Sequence, residues 1–154
     1  MFKKTYLLIL FILFSSCGYE AMHSKKNTFN YDFSISKISF EGDRDFNLEI
    51  KQKLNNYTLS KKNKDFSLKI KSNSKKIIVV KDVAGNPTSF QNTITVYIDV
   101  LVKNKIQKTF IIKESFIYNN NSNKFNLKKY EKDIKSNLAE STVKKLVFKL
   151  SNIQ

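Results

Sequence analysis

Alternation of apolar and polar residues is the clearest feature of the chain, and it predicts β-strands because successive side chains of a strand point to opposite faces. The most regular run extends from Thr93 to Val102. Its apolar face is formed by residues two positions apart: Ile94, Val96, Ile98, Val100 and Val102. Its other face carries Thr93, Thr95, Tyr97 and Asp99. This strand is therefore predicted to bury one face and to keep the other at least partly in water.

Further strands follow from the same pattern. The segment from Phe33 to Phe40 alternates, with a change of phase near Lys37. Phe66 to Ile70 also alternates, and Ile77 to Val80 is a continuous β-branched run. The residues between them, Ser72 to Lys76, form either a bulge within one long strand or a break between two strands.

Turn signals separate the later strands. Gly85-Asn86-Pro87 is the strongest turn signal of the chain, and Lys103-Asn104-Lys105 is a tight connection. The run from Ile106 to Tyr118 supplies a last strand, which is predicted to form a β-hairpin with the strand before it. The polar residues Asn119 to Asn123 then connect this strand to the C-terminal segment.

Two segments have helical periodicity. After Asp43, a candidate N-cap, apolar residues recur at spacings of four, four and three: Phe46, Ile50, Leu54 and Tyr57. From about Asn126 to Ile153 there is no Gly or Pro, and a second apolar stripe follows one helical face. Its members are Leu127, Tyr130, Ile134, Leu138, Val143, Leu146, Val147 and Leu150.

The resulting order, β-α-β-β-β-α, predicts an α+β two-layer sandwich in which two helices cover a mostly antiparallel sheet of about four strands. The C-terminal helix is basic at its end, where Lys144, Lys145 and Lys149 lie, and such a helix can also lie on a membrane. We favour packing on the sheet, because the apolar face of the sheet would otherwise have no cover.

The first sixteen residues have the layout of a secretory signal peptide. Lys3 and Lys4 are positive, Tyr6 to Phe14 is apolar, and Ser15-Ser16 precede Cys17. The apolar run is too short to span a membrane, which takes about 20 residues. An exported chain with a single cysteine needs a reason for it, and lipidation of Cys17 supplies one. The alternatives are an ordinary signal peptide or an uncleaved anchor.

These features divide the chain into a signal peptide (1–16), a lipidated tether (17–32) and a single domain (33–154). The formal charge is +15, and removal of the two signal-peptide lysines leaves 15 − 2 = +13. This charge favours an anionic partner such as phosphate-bearing lipid, whereas export argues against nucleic acid. Nearly all of the charge comes from lysine, with Arg44 as the only arginine, and AT-rich codons also produce that pattern.

No motif for catalysis or metal binding stands out. The only histidine, His23, lies in the tether, so a serine nucleophile would have no base and a metal would have no second ligand nearby. The three glycines lie too far apart to form a phosphate-binding loop. Acidic residues within 41–45 and 131–133 are interpreted as helix caps and ion-pair partners. The sequence therefore predicts a non-enzymatic protein with no catalytic residues, metal or cofactor.

Several parts of the chain occur together in one known family. They are the start Cys17-Gly18-Tyr19, an early helix, a hairpin and a long terminal helix. The most specific stretch is Ala84 to Val96 (AGNPTSFQNTITV), which looks like the family's hairpin connection and the strand after it. Ala139 to Leu150 (AESTVKKLVFKL) is similar to its closing helix. As a pattern of elements with few identities, the chain resembles the LPS-assembly lipoprotein LptE family.

The resemblance implies a protein that is lipid-anchored at the periplasmic face of the outer membrane. It would act as the plug and assembly partner of the LPS-assembly β-barrel (LptD type) and aid delivery of lipopolysaccharide (LPS) to the outer leaflet. No reaction and no cofactor are implied. The solvated residues Thr95, Tyr97 and Asp99 are then candidates for barrel contact. The alternative is a free envelope lipoprotein that binds an anionic ligand or inhibits an exported hydrolase.

Contact with LPS, as the resemblance implies it, calls for a basic residue at the sheet turn and another on the last helix. The matching positions are Val83 and Ser136, and neither is basic. Lys81 and Lys135 lie beside them and are the candidates for LPS contact.

Overall fold

A computed structural model of the chain describes residues 31–59 and 61–153, which belong to one unit, Tyr31–Gln154. The predicted signal peptide, Cys17 and His23 lie outside the described residues, as does nearly all of the predicted tether. The elements are β1 (Phe33–Gly42), α1 (Arg44–Leu54), a short 3₁₀ turn (Asn55–Tyr57), β2 (Lys64–Lys81), β3 (Pro87–Val102), β4 (Lys105–Asn119) and α2 (Lys124–Ser151).

The four strands form one mixed sheet in the order β1-β2-β3-β4. β1 and β2 are parallel and the other two pairs are antiparallel, so the α+β class and the mostly antiparallel sheet are confirmed. The change of phase near Lys37 is a register shift between Ile35 and Lys37. β2 is one strand that continues through residues 72–76, and its register shifts only later, between Ile78 and Lys81.

One face of the sheet shares a single core with the apolar stripes of both helices. The alternation predicted for β3 is confirmed by four residues with 0% exposure: Ile94, Val96, Ile98 and Val100. A register shift beside Val100 and Leu101 leaves one extra residue, Gln107, in β4. Val102 is half-buried and packs against the core, on the apolar face predicted for it, whereas Leu101 pairs with Ser67 of β2 and is 7% exposed.

α1 begins where β1 ends, at the level of the middle of β2. Asp43 is the N-cap that the sequence predicts, and its carboxylate accepts a hydrogen bond from the Phe46 N–H at 3.1 Å. Gly42 has a φ of +94°, and a Cβ atom there would lie 1.8 Å from the Ser72 carbonyl oxygen, so this close approach requires glycine. The helix buries its predicted stripe but ends at Leu54, and Tyr57 lies in the 3₁₀ turn.

α2 runs along the sheet toward the start of β2. The Asn123 side chain caps it by accepting from the Asn126 N–H at 3.1 Å. At the other end, the Lys64 ammonium donates to the Ile153 carbonyl at 2.7 Å. The predicted stripe is buried except for Tyr130, which is 47% exposed. Neither helix in the described part of the chain combines the length and apolar character needed to cross a membrane.

Candidate binding surfaces

The second face of the sheet, termed the open face, carries the residues predicted for barrel contact. Thr95, Tyr97 and Asp99 follow one another along this face of β3, and Tyr97 is 46% exposed. In the register, Tyr97 lies between Lys71 of β2 and Ile111 of β4. The structure therefore brings the three predicted residues together at the middle of a partly solvated surface.

The open face is predominantly basic. By register, its lysines are Lys37, Lys69, Lys71, Lys75 and Lys113. Lys69 lies opposite Asp99, whose carboxylate accepts from the Thr109 hydroxyl at 2.7 Å. Glu41 approaches Lys71 at 4.0 Å, with side chains 76% and 69% exposed. A pair this exposed adds little to stability. Since all five lysines are exposed and acidic residues are few, the open face is cationic and accessible to a partner.

A groove of about 940 Å³ lies between α1, α2 and the C-terminal half of β2, where it is lined by Ser74 and Lys76. Its lysines come mainly from α2 and are joined by one from β2: Lys128, Lys129, Lys132, Lys135 and Lys76. This site was not predicted from the sequence, although spacings of four and three place Lys128, Lys132 and Lys135 on one helical face. Asp45, Glu49 and Glu131 also line the groove, and Glu131 pairs with Lys76. The ammonium groups of Lys128, Lys129 and Lys132 can bind a phosphate or carboxylate ligand.

Lys135, a predicted LPS contact, is held within the protein at the edge of this groove. Its ammonium lies 3.1 Å from the Asp43 carboxylate and 3.9 Å from that of Asp45. Burial alone would raise the pKa of Asp43, but hydrogen bonds from the Ser74 hydroxyl and the Phe46 N–H, together with Lys135, hold that pKa below its usual value. Lys135 therefore joins α2 to the start of α1.

A second polar cluster joins α2 to β2 and β4. Glu131 accepts from the Lys76 ammonium at 2.6 Å and from the Tyr118 hydroxyl at 2.8 Å. Lys76 also lies 4.1 Å above the Phe90 ring. Burial tends to raise the pKa of Glu131, yet the bonds from Lys76 and Tyr118 keep it below its usual value. Burial and the bond to Glu131 raise the pKa of Tyr118.

The acidic groups near both helix starts thus act as caps and ion-pair partners, as predicted for Asp43, Asp45 and Glu131. Among residues 31–59 and 61–153, no three His, Cys, Asp or Glu side chains are placed to hold a metal ion.

Lys81, the other predicted LPS contact, lies at the opposite end of β2 from the core. The Asp43 carboxylate contacts both Lys135 and Ser74, so Lys135 lies beside Ser74 of β2. The seven residues of strand from Ser74 to Lys81 span about 23 Å. The two lysines therefore do not converge on one small ligand. Of the two positions matched to the family, Val83 is fully exposed in the turn, whereas Ser136 donates to the Glu49 carboxylate at 2.8 Å.

The end of the β2–β3 hairpin is an exposed apolar surface, termed the hairpin tip: Ile77, Ile78, Val79, Val80 and Val83. The exposed fraction is 42–52% for the four strand residues, and Val83 is fully exposed. Ile117 on β4, the strand next to β3, is 57% exposed. The sequence indicated β-structure here but not its exposure, because a continuous apolar run is also typical of a buried strand.

Solved structures of bacterial lipoproteins share this fold. Rare lipoprotein B from Shewanella oneidensis aligns with a TM-score of 0.55 at 12% identity, over 75% of this chain and 97% of its own. Lipoprotein B from Nitrosomonas europaea aligns with a TM-score of 0.57 at 12% identity, over 79% of this chain and 86% of its own. The minor lipoprotein from Acinetobacter baumannii aligns with a TM-score of 0.51 at 16% identity, over 74% of this chain and 92% of its own. At identities this low, the likeness shows the fold alone.

No protein-family model matches the chain, and no curated protein matches it in sequence.

Proposed function

We propose that the chain is a non-enzymatic lipoprotein of the LptE type that plugs the LPS-assembly β-barrel (LptD type) and aids delivery of LPS to the outer leaflet. Three features support the proposal: the predicted signal peptide ending before Cys17, the stretch from Ala84 to Val96, and a fold shared with bacterial lipoproteins. In this proposal, palmitate on Cys17 holds the protein at the periplasmic face of the outer membrane.

The open face is the observation that carries the plug role. Outer-membrane barrels have polar interiors, and a sheet surface of threonines, lysines and Asp99 is compatible with such a lumen. Tyr97 and Ile111 lie side by side at the centre of this face and are 46% and 62% exposed. An aromatic and an aliphatic side chain surrounded by polar groups match the composition of a typical interface core and rim.

Contact with LPS is proposed for Lys81 and Lys135 as two separate points. Lys81 is exposed at the end of β2 and needs no rearrangement. Lys135 has to exchange the Asp43 carboxylate, 3.1 Å away, for a lipid phosphate. Because that exchange replaces one charge-assisted bond by another, we expect Lys81 to contribute more to binding.

Affinity purification of the tagged full-length protein from detergent extracts, followed by mass spectrometry, tests the plug role. We expect a stoichiometric outer-membrane β-barrel in the eluate. A Tyr97→Glu/Ile111→Glu variant places charges at the centre of the open face and should reduce recovery of the barrel at least about tenfold. The matched control is Phe148→Glu on α2, a side chain that is 69% exposed, and it should retain the barrel.

A Cys17→Ala variant separates anchoring from binding, because it removes the predicted lipid without changing the open face. If the wild-type protein is recovered alone, yet remains membrane-bound through Cys17, the plug role is wrong. Equal loss of the barrel in the open-face and Phe148→Glu variants would show that the open face is not the contact surface.

The groove lysines favour a second candidate, a free lipoprotein that binds an anionic ligand. A Lys128→Ala/Lys132→Ala variant removes two ammonium groups from the groove and leaves the open face intact. Under this second function, the protein would be recovered without a barrel, and the variant would lose affinity for inorganic phosphate in calorimetric titrations. No phosphate binding by the wild-type protein would reject the groove as an anion site.

A further inference from the structure

The two edges of the sheet differ in how well they are protected against pairing with another strand. β1 is the short edge, with 10 residues. Its register shift leaves Ser36 as an extra residue beside β2, and a bulge of this kind bends an edge strand away from a flat partner. β4 is the long edge, with 15 residues, and its register beside β3 is unbroken from Lys108 to Asn119. β4 is therefore the edge that can accept a further strand.

The hydrogen-bond pattern shows which backbone groups of β4 point outward. One position beyond the strand, the Asn120 N–H donates to the Thr88 carbonyl at 2.8 Å. In an antiparallel pair, hydrogen-bonded positions alternate with positions whose backbone groups point away from the partner. The even-numbered residues from 110 to 118 therefore bond to β3. The odd-numbered residues direct their N–H and C=O groups outward: Thr109, Ile111, Lys113, Ser115 and Ile117. Within residues 31–59 and 61–153, no strand pairs with this side of β4.

The side chains beside these outward groups do little to prevent pairing. Edge strands usually carry charges or a proline that discourage a second strand, whereas the segment from Ser115 to Asn119 has neither. Phe116 and Ile117 are 42% and 57% exposed and, as consecutive strand residues, point to opposite faces. An added strand would cover part of both side chains and would bond to the outward amides, as in the recognition of extended peptides by strand addition.

Lysines lie above this edge on the helix side of the sheet. Lys149 of α2 and Lys108 of β4 lie 5.1 Å and 6.0 Å from the centre of the Phe110 ring, and Lys145 lies 2.6 Å from the Glu114 carboxylate. These three ammonium groups outnumber the carboxylate. A second copy of the chain, paired antiparallel through β4, would bring the same lysines together across the interface, and such like-charge contacts disfavour a partner. A strand that carries carboxylates on its helix side would be attracted instead.

We infer that the outer side of β4 binds an extended segment of another protein by strand addition, and that this segment alternates apolar with acidic residues. Its backbone bonds to the outward positions from Thr109 to Ile117, a length of about 30 Å. Its carboxylates lie beside Lys145 and Lys149. The inference does not rest on the proposed plug role, because the added strand lies in the plane of the sheet and bonds to backbone groups, which leaves the open face, the groove and Lys81 uncovered.

A synthetic peptide tests the inference without knowledge of the natural partner. The probe is a capped, fluorescein-labelled peptide of five valines alternating with four glutamates, which matches the residues from Thr109 to Ile117 in length. Its binding to the full-length protein in detergent is followed by fluorescence anisotropy. We expect saturable binding that weakens at least about threefold between about 0.1 M and about 0.5 M salt.

Two control peptides separate backbone pairing from charge. When the glutamates face the lysines, the valine N–H groups face β4, so N-methylation of the valines removes the donors and should weaken binding at least about tenfold. A peptide of alternating valine and lysine has the same strand propensity and the opposite charge, and we expect no binding from it.

Variants of β4 test the same contact from the protein side. Ser115→Pro removes an outward N–H without removing a bond to β3, and it should weaken peptide binding at least about fivefold. The matched variant Ser115→Ala keeps the N–H and should stay within about twofold of the wild-type protein. Urea unfolding establishes that both variants are folded. Lys149→Gln should weaken binding at least about twofold and lower its dependence on salt.

No binding of the valine–glutamate peptide would overturn the inference. Equal binding of the N-methylated peptide, or equal binding by folded Ser115→Pro, would show that charge alone attracts the probe and that strand addition is wrong. Equal binding of the lysine peptide would reject an acidic partner. A dimer that Ser115→Pro dissociates in sedimentation experiments, with no peptide binding, would assign the edge to a second copy of the chain. Since no barrel takes part, failure of this test leaves the plug role standing, and failure of the barrel purification leaves this inference standing.

Discussion

The two halves of β2 have similar apolar content and opposite fates. In the first half, Phe66, Leu68 and Ile70 are at most 2% exposed, whereas Ile77 to Val80 in the second half are 42–52% exposed. The second half is the more continuously apolar of the two. The difference therefore comes from the elements that cover each half and not from the hydrophobicity of the strand.

Element lengths explain the contrast. β1 has 10 residues and β2 has 18, so β1 ends beside Ser72 and α1 turns back from that level. α2, with 28 residues, is about 42 Å long at 1.5 Å per residue, whereas β2 extends over about 59 Å. Both helices therefore end before the β2–β3 hairpin does, and no helix covers the hairpin tip.

The largest expected effect separates the two halves directly. Ile70 and Ile78 lie on the same face of the same strand, and they are 2% and 46% exposed. Ile70→Ala should lower the free energy of unfolding by about 2–5 kcal/mol, because it creates a cavity, and Ile78→Ala by less than about 1 kcal/mol. Urea unfolding measures both changes. Equal losses would show that the tip is packed as tightly as the core.

Within residues 31–59 and 61–153, Gly42 and Gly85 have positive φ, and they extend the comparison to the backbone. Gly42→Ala should cost at least about 3 kcal/mol, because the conformation is strained and the added Cβ meets the Ser72 carbonyl oxygen. Gly85 in the tip has a φ of +85° and nothing within 4 Å of a built Cβ, so Gly85→Ala should cost only about 1 kcal/mol. Thermal unfolding can rank the two variants, and the reverse order would contradict the close approach at Gly42.

Acid should weaken the start of α1. The pKa of Asp43 is lowered in the folded state, so Asp43 stabilises the fold at pH values above its unfolded pKa of about 3.9. That contribution is lost as the pH falls through the lower folded value. Asp43→Asn should therefore destabilise the protein by about 1–2 kcal/mol at neutral pH. The two proteins should converge toward pH 2, and a pH-independent difference would refute this assignment.

The smallest change in stability is expected at Lys76, between the buried and the exposed half of β2. Lys76→Ala removes the bond to Glu131 and the contact with the Phe90 ring, but the Lys76 side chain is 43% exposed. Solvent screening should limit the loss to at most about 1 kcal/mol, and high salt should reduce it further. Lys75→Ala, on the open face, serves as the control and should change stability by less than about 0.5 kcal/mol.

Local features were predictable from the sequence because their causes are local. The side-chain period on β3, the cap at Asp43 and the β3–β4 turn each depend on residues a few positions apart. Lys103 and Asn104 have φ values of 49° and 63°, as a two-residue hairpin turn demands. The open-face set Thr95, Tyr97 and Asp99 could be grouped for the same reason, since alternate residues of a strand share a face.

The groove and the hold on Lys135 were not predictable, because they join distant parts of the chain. Lys135 contacts Asp43 across 92 positions, and Lys76 contacts Glu131 across 55. Many lysines share the same face of α2, and no local pattern distinguishes the one that reaches a carboxylate. Only the packing of α2 over α1 and β2 selects it.

The type and order of the elements, and the apolar faces of α1, β3 and α2, follow from the sequence, because their causes are local. How much of each apolar face is covered follows only from the way the elements pack. That coverage depends on β1 being shorter than β2, and on two helices that rise 1.5 Å per residue packing against strands that rise about 3.3 Å. The residues at Ile77 to Val80 are as apolar as core residues, and they remain exposed because no element reaches them.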